Sequence, residues 1–142
     1  MSYMTIEGLR VTSYLKKHNI SCELIDLCTV SPIDWDTIYK SVRKTGRLLV
    51  LDTGTTTGSI AGEIIARVTI ELFDDLHCAP QRIALPDVPT PTSSALTKGF
   101  YPDAISITAK ISKMLNITVN CDELIDTATP HDVPGDWFKG PF

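Results

Sequence analysis

Apolar residues in this chain form short runs and helical stripes that alternate along the sequence. The run Leu48–Leu51 is too short for a helix, and its Leu and Val content is typical of a strand covered on both faces. A loop of small residues, Thr53–Gly58, follows it. Ser59 then fits the N-cap of an amphipathic helix that extends to Phe73. Strand, polar loop and helix together indicate half of a βαβ unit.

The same reasoning predicts elements on either side of this unit. Apolar residues at helical spacing indicate a helix over Tyr3–His18, which Asn19 ends in a left-handed conformation. The segments Ser21–Leu27 and Gln81–Leu85 predict the first and third strands. A last helix is predicted over Asp103–Leu115. In the first helix, Leu9 belongs to the predicted apolar face.

A helix start is also predicted just after the first strand. Ser31 fits the N-cap, Pro32 the first helical position, and Asp34 the position three residues beyond the cap. This helix is expected to continue to about Lys44, and Gly46 is placed to close it.

The alternation of helices and strands predicts an α/β fold, a three-layer α/β/α sandwich with a mostly parallel sheet. Pro86–Ser94 contains three prolines and predicts extended surface chain. The periodic pattern weakens beyond Ile117. The sequence therefore predicts one domain over residues 1–119 and an irregular tail over residues 120–142.

Three aromatic side chains distinguish the predicted tail: Trp137, Phe138 and Phe142. A short segment rich in Pro and Gly cannot bury three rings by itself, and exposed rings usually mark a contact. The tail either packs back onto the domain, binds a partner, or is disordered.

Composition narrows the class of protein. A chain of 142 residues with 43% hydrophobic and 21% charged residues is ordinary for one soluble domain. The net charge of -4 argues against a sequence-independent nucleic-acid binder. Neither a membrane span of roughly 18 apolar residues nor a signal peptide is apparent. We therefore expect a cytoplasmic protein, or one of the mitochondrial matrix if it comes from a eukaryotic precursor.

Cysteines and histidines do not form a recognisable site in the sequence. The four cysteines fit neither a zinc pattern nor a disulfide framework. The three histidines are far apart along the chain and form no set. These residues are Cys22, Cys28, Cys78 and Cys121, and His18, His77 and His131. No metal site is predicted from them.

Asp52-Thr53-Gly54 is the sharpest local motif. An apolar run followed by this tripeptide also occurs in aspartic proteases, and a single copy would suit a dimeric enzyme. The flanking helices argue against that all-β fold. In the simpler interpretation, Asp52 satisfies backbone groups at a turn, while Gly54 and Gly58 allow positive φ. Because the loop leads into a helix, a small-ligand-binding α/β module is a third alternative, although no phosphate-loop pattern is present.

A family resemblance connects these elements. The stretch CELIDLCTVSPIDWDTIYKSVRKTGRLLVLDTG, then GSIAGEIIARV and PDVPTP, resembles the C-terminal domain of the transketolase family. The likeness is greatest to β subunits of thiamine-diphosphate-dependent 2-oxoacid dehydrogenases, such as the pyruvate and branched-chain enzymes. It covers residues 3–115. The family usually has Asp-Glu-Gly where this chain has Asp52-Thr53-Gly54.

The resemblance implies a non-catalytic role within oxidative decarboxylation of a 2-oxoacid such as pyruvate. Thiamine diphosphate and Mg²⁺ are held by other domains in the family, so no catalytic, cofactor-binding or metal-binding residue is carried over to this sequence. The C-terminal domain assembles subunits and helps to dock the acyltransferase core. The implied partners are further copies of the chain, an α subunit and a dihydrolipoyl acyltransferase.

The resemblance also bears on the sheet. In the family an apolar strand precedes the helix that begins here near Met4, so the implied fold lacks its first strand. An exposed sheet edge invites pairing with another chain. We therefore expect a homodimer or larger species.

Overall fold

The computed structural model describes residues 3–125, 129–133 and 135. These residues contain five helices and two strands. In chain order they are α1 (Tyr3–Lys17), α2 (Trp35–Thr45), β1 (Leu49–Thr55), α3 (Ile60–Leu72), β2 (Gln81–Leu85), α4 (Ser94–Thr97) and α5 (Ala104–Leu115). Short 3₁₀ turns follow at Phe73–Asp75 and Asp122–Leu124. Within the described part of the chain, no helix is long and apolar enough to cross a membrane. The predicted aromatic tail residues Trp137, Phe138 and Phe142 lie outside the described residues.

Strands β1 and β2 pair in parallel. A helix lies between them in sequence, because parallel neighbours need a long crossover. The α/β class and the parallel sheet are therefore confirmed. The register aligns Leu49 with Gln81, Leu51 with Ile83 and, after a shift, Thr55 with Leu85.

Strand β1 extends further than the sequence predicts. It continues to Thr55, and the Thr56 N–H donates to Leu85 O at 2.8 Å. The loop predicted over Thr53–Gly58 is therefore shorter, because pairing with β2 holds its first residues extended.

Helices cover the two faces of β1 in separate layers. One layer contains α1 and α5, and the other contains α2 and α3. Leu49 and Leu51 pack against the first layer, whereas Leu48 and Val50 pack against the second. This alternation has the two-residue period of a strand and accounts for the unbroken apolar run.

A buried carboxylate joins α1 to α5. Glu7 is 4% exposed, and its Oε2 accepts the Ala104 N–H at 2.7 Å, at the start of α5. Arg10 donates to the same carboxylate at 3.0 Å. A negative charge at a helix N-terminus is favourable, and the paired Arg offsets the burial of that charge. Asp103 completes the cap by accepting the Ser106 N–H at 2.8 Å.

The predicted start of α2 is wrong by three residues, because Ser31 was expected as the N-cap and Pro32 as the first helical residue. The helix begins at Trp35, and Asp34 is its N-cap, accepting the Thr37 N–H at 3.1 Å. Ser31 makes no such contact and lies outside the helix. Ser and Asp are both favourable residue types at an N-cap, and in the folded chain it is the carboxylate of Asp34 that reaches the third helical amide.

Two left-handed helix ends are confirmed. Asn19 after α1 has φ 60°, and Gly46 after α2 has φ 65°. The Gly46 N–H donates to Val42 O at 2.7 Å, which satisfies a carbonyl at the end of α2. The placement of Leu9 in the apolar face of α1 is wrong, since this side chain is 53% exposed and the buried face continues through Gly8 and Val11 instead.

The segment predicted as the first strand, Ser21–Leu27, forms no ladder among the described residues. Its side chains still alternate between the layers, because Cys22 packs against the α1–α5 cluster and Leu27 against the α2–α3 cluster. Glu23 ties the segment to α2. The prediction fails because pairing requires an adjacent strand, and none lies beside this segment in the described structure.

Candidate interaction site

Asp52 lies near the carboxyl end of β1 and orders the local backbone. Its Oδ1 accepts the Gly54 N–H at 2.9 Å, and its Oδ2 accepts the Ala61 N–H at 3.4 Å, in the first turn of α3. Ser59 occupies the predicted N-cap position but makes no capping hydrogen bond. The carboxylate of Asp52 caps α3 in its place, which agrees with the turn-ordering interpretation of this motif.

The threonine loop after β1 is tied to the loop after β2. Asp87 accepts the Thr57 N–H at 2.7 Å and the Thr57 hydroxyl at 2.6 Å. These hydrogen bonds lower the pKa of the Asp87 carboxyl. Gly58 has the predicted positive φ of 79°, whereas Gly54 does not, because it belongs to β1. Polar groups at this edge of the sheet therefore join two loops to one another.

Histidines and cysteines remain dispersed in the folded chain. No group of three His, Cys, Asp or Glu side chains in the described residues could hold a metal ion. His131 contacts the Thr97 hydroxyl at 3.1 Å and Ser94 O at 2.9 Å, which attaches the segment 129–133 to α4. His77 lies elsewhere, 3.5 Å from an Arg47 nitrogen. These contacts connect neighbouring segments of the fold.

An exposed apolar region lies on the outer side of α3. Ile70 is 79% exposed and Phe73, in the turn that follows, is 71% exposed. A groove of about 440 Å³ lies beside them, between α3 and β2. Its lining residues are Gly62, Ile65, Ala66, Pro80, Gln81 and Arg82. We call this region, with Ile70 and Phe73, the α3 surface.

The outer edge of β2 borders the α3 surface. In the described part of the chain, β2 pairs only with β1, so its other edge is open. Exposed apolar side chains beside an open strand edge are typical of a contact with another protein. Sequence reasoning did not assign Ile70 or Phe73 a role. Their exposure could have been inferred from the sequence, because both residues fall outside the helical stripe of Ile64, Val68 and Leu72.

A second opening lies inside the fold, between residues 20–27 and residues 47–53. It has a volume of about 590 Å³, within the usual range for binding cavities. Helices of both layers cover its two faces. Apolar residues from these helices include Val11, Ile107 and Ile111 on one face and Val42, Ile60 and Ile64 on the other. We call this opening the slot.

Comparison with known proteins places the chain in a family. The profile of the family described as "Transketolase, C-terminal domain" matches residues 1–107. The pyruvate dehydrogenase E1 component subunit beta of Rickettsia bellii is 38% identical over 110 residues, 78% of this chain and 34% of that protein. The subunit of the same name from Mycoplasma pneumoniae is 54% identical over 69 residues, 49% of this chain and 21% of that protein.

A different oxidoreductase is also related. The beta subunit of acetoin:2,6-dichlorophenolindophenol oxidoreductase from Cupriavidus necator is 35% identical over 112 residues, 79% of this chain and 33% of that protein. The chain thus spans about a third of the length of these curated relatives.

A solved structure supports the same fold. A split-gene transketolase, described as an inactive beta4 tetramer, matches 80% of this chain and 37% of its own, with a TM-score of 0.67. The identity is 21%, so this likeness concerns the fold alone. The parallel pair, the helical layers and the match over residues 1–107 agree with one another. The chain therefore belongs to the transketolase C-terminal domain family.

Proposed function

We propose that this chain is the subunit-assembly domain of a 2-oxoacid dehydrogenase β subunit. In this role it takes part in oxidative decarboxylation of a 2-oxoacid such as pyruvate without performing the chemistry. Thiamine diphosphate and Mg²⁺ belong to other parts of the complete enzyme. The names of the relatives support the enzyme class. The internal hydrogen bonding of Asp52 and Asp87 supports a structural use of the polar loops.

The α3 surface is the observation that carries the proposal. Burying an exposed Ile or Phe side chain contributes about 1.5–3 kcal/mol, so Ile70 and Phe73 favour association. A second copy of the chain is the proposed occupant. In a twofold contact both copies use the same surface. The open β2 edges of the two copies then lie close together, as do their Ile70 and Phe73 side chains.

Further partners follow from the same proposal. An α subunit and a dihydrolipoyl acyltransferase core would bind the assembled β subunits. Relatives from Chaetomium thermophilum and Saccharomyces cerevisiae are named as mitochondrial. We infer a cytoplasmic location in a bacterium and a matrix location in a eukaryote.

The substitution Ile70→Lys tests the proposal. The unchanged chain is expected to elute as a dimer or larger species at micromolar concentration, measured by light scattering coupled to size exclusion. A lysine ammonium in an apolar contact loses its hydration, so Ile70→Lys is expected to shift the chain to monomer. Ile117→Lys is the matched control, because Ile117 is 42% exposed and lies after α5, away from this surface.

Two outcomes would contradict this assignment. One is a monomeric unchanged chain at micromolar concentration. The other is an Ile70→Lys variant that associates as strongly as the Ile117→Lys control. A cooperative thermal melt of both variants shows that the comparison is between folded proteins.

A further inference from the structure

Residues 117–125 return to α1 after α5 ends. The family profile ends at residue 107, so this segment lies beyond the part of the chain that matches the family. Leu124 is 8% exposed and belongs to the buried cluster of the α1–α5 layer, with Val11 and Tyr14. The 3₁₀ turn that contains Leu124 therefore inserts one leucine side chain into this layer.

Two side chains of α1 hold the backbone of this segment. Arg10 Nη2 donates to Leu124 O at 3.3 Å, and the Tyr14 hydroxyl donates to Asn120 O. Both acceptors are backbone carbonyls. These two contacts therefore fix the course of the segment and are independent of its side chains.

Two further contacts depend on side chains of the segment. Lys17 Nζ lies 2.8 Å from Glu123 Oε2, and this hydrogen bond lowers the pKa of the Glu123 carboxyl. The second contact is the burial of Leu124. A carboxylate followed by a leucine is therefore the side-chain pattern that α1 accepts here.

The three hydrogen-bond donors lie along one face of α1. Arg10, Tyr14 and Lys17 are four and then three residues apart, which is the spacing of neighbours on a helix surface. Their three acceptors all belong to the segment. We call this face of α1, with its contact to Leu124, the α1 site. A row of donors beside an apolar contact fits a turn that presents carbonyl groups, an acidic side chain and a leucine.

We propose that the α1 site is a docking site for an acidic, leucine-bearing turn of another protein, and that residues 118–125 occupy it as an internal ligand. The segment is tethered at both ends, because it follows α5 directly and His131 beyond it contacts Ser94 O at 2.9 Å. Tethering gives the internal ligand a high effective concentration, so another turn binds only when the segment is released.

Release of the segment is a local event. One buried leucine, two hydrogen bonds and one exposed ion pair hold it to α1, and an exposed ion pair contributes little. Segments with so few buried contacts open more easily than the whole fold. The proposal is independent of the assembly function proposed above, because α1 and α3 belong to opposite layers.

A peptide titration on an opened α1 site tests the proposal. Leu124→Asp places a charge where the leucine is buried and is expected to release the segment. The probe is a blocked, fluorescein-labelled peptide with the sequence of residues 118–125 and serine in place of Cys121, followed by anisotropy. Saturable binding to the full-length Leu124→Asp chain is expected, about tenfold tighter than to the unchanged chain.

Two controls test the role of the leucine. Ile125→Asp is the matched protein variant, because Ile125 adjoins Leu124 in sequence but is 52% exposed. It is expected to keep the segment in place and to bind the peptide as weakly as the unchanged chain. A peptide with aspartate at its leucine position is expected not to bind the Leu124→Asp chain.

A further pair of variants locates the bound peptide. Tyr14→Phe removes only the hydroxyl that donates to Asn120 O. In the Leu124→Asp background it is expected to weaken peptide binding by about threefold to tenfold, the effect of one hydrogen bond. Tyr39→Phe is the control, because Tyr39 lies in α2 and packs in the opposite layer.

The proposal is overturned if folded Leu124→Asp does not bind the peptide, or if the unchanged chain binds it equally well. Equal binding of the aspartate peptide, or equal effects of Tyr14→Phe and Tyr39→Phe, would also overturn it. NMR contacts between Tyr14 of one copy and Leu124 of another, in a mixture of differently labelled chains, would contradict occupation within one chain.

Folding and self-association are controlled separately. A cooperative thermal melt shows that Leu124→Asp is folded. If it is not, Leu124→Ala takes its place, because alanine removes the buried side chain without adding a charge. Peptide binding by the Ile70→Lys, Leu124→Asp double variant separates this result from the self-association test.

Discussion

Residues 21–27 and strand β1 differ in structure although their sequences predict the same element. Both place apolar side chains in the same two layers of helices. Only β1 has a hydrogen-bonded neighbour, β2. Alternating side chains decide which layer each residue contacts, whereas a strand also needs a second backbone at the right distance. The difference therefore lies in the surroundings of each segment.

Solvent exposure explains how residues 21–27 remain extended without a ladder. Ser21, Glu23 and Ile25 are exposed, so water can satisfy much of the backbone there. A buried N–H or C=O without a partner would cost about 1–3 kcal/mol. The paired edge of β1 avoids that cost through β2, for example at the Gln81 N–H, which donates to Leu48 O at 2.9 Å.

The largest effect on the free energy of unfolding is expected when Ile→Ala substitutions in the two segments that flank β1 are compared. Ile83 in β2 is 9% exposed and belongs to the α1–α5 cluster, so Ile83→Ala is expected to lower the free energy of unfolding by about 2–5 kcal/mol. Ile25 is 37% exposed, and Ile25→Ala is expected to cost less than about 1 kcal/mol. Urea denaturation of both variants measures the difference. Equal losses would show that residues 21–27 are as firmly held as the paired strand.

A smaller effect is expected at the carboxyl end of β1. Asp52→Asn leaves one oxygen acceptor for the two amides, so we expect a loss of about 1 kcal/mol in the free energy of unfolding. Asp74→Asn, at an exposed position after α3, is the control and is expected to change little. Calorimetric melting of the two variants makes the comparison. Peptide cleavage that pepstatin inhibits and Asp52→Asn abolishes would instead support the aspartic protease alternative.

The smallest effect is expected from low pH, which should loosen residues 21–27 alone. Hydrogen bonds from Lys44 and Ser41 hold the pKa of Glu23 below its ordinary value of 4.5. The stabilisation from these contacts is therefore complete above about pH 4.5 and is lost as the pH falls through the lowered pKa. Acid should release this segment while the β1–β2 pair is unaffected.

NMR spectra between about pH 6 and pH 3 check this expectation. The Cys22 and Leu24 amide signals should move with the titration of Glu23, whereas those of Gln81 and Thr56 in the ladder should not follow it. In Glu23→Gln the acid-dependent change should disappear. A change of the same size in the ladder amides would mean that acid loosens the whole sheet.

Local signals predicted much of the fold. The bounds of β2 and the left-handed ends at Asn19 and Gly46 agree with the sequence, because each depends on residues close together in the chain. The start of α2 was predicted wrongly, since Ser31 and Asp34 are both good caps by residue type. Backbone geometry chose Asp34.

The candidate interaction site was less predictable. Ile70 and Phe73 are ordinary apolar residues in sequence, and only the packing of α3 through Ile64 and Val68 leaves them on the outside. The slot has no motif at all, because it arises from the separation of two segments that adjoin different helices.

The sequence by itself determined the α/β class, the approximate positions of the longer helices and of β1 and β2, and the left-handed helix ends at Asn19 and Gly46. These follow from periodicity and capping, which act over a few residues. Tertiary structure decided that β1 pairs with β2 and that residues 21–27 pair with nothing in the described part of the chain. It also decided which apolar residues remain exposed. Strand pairing and burial depend on which distant segments become neighbours, and no local pattern encodes that distance.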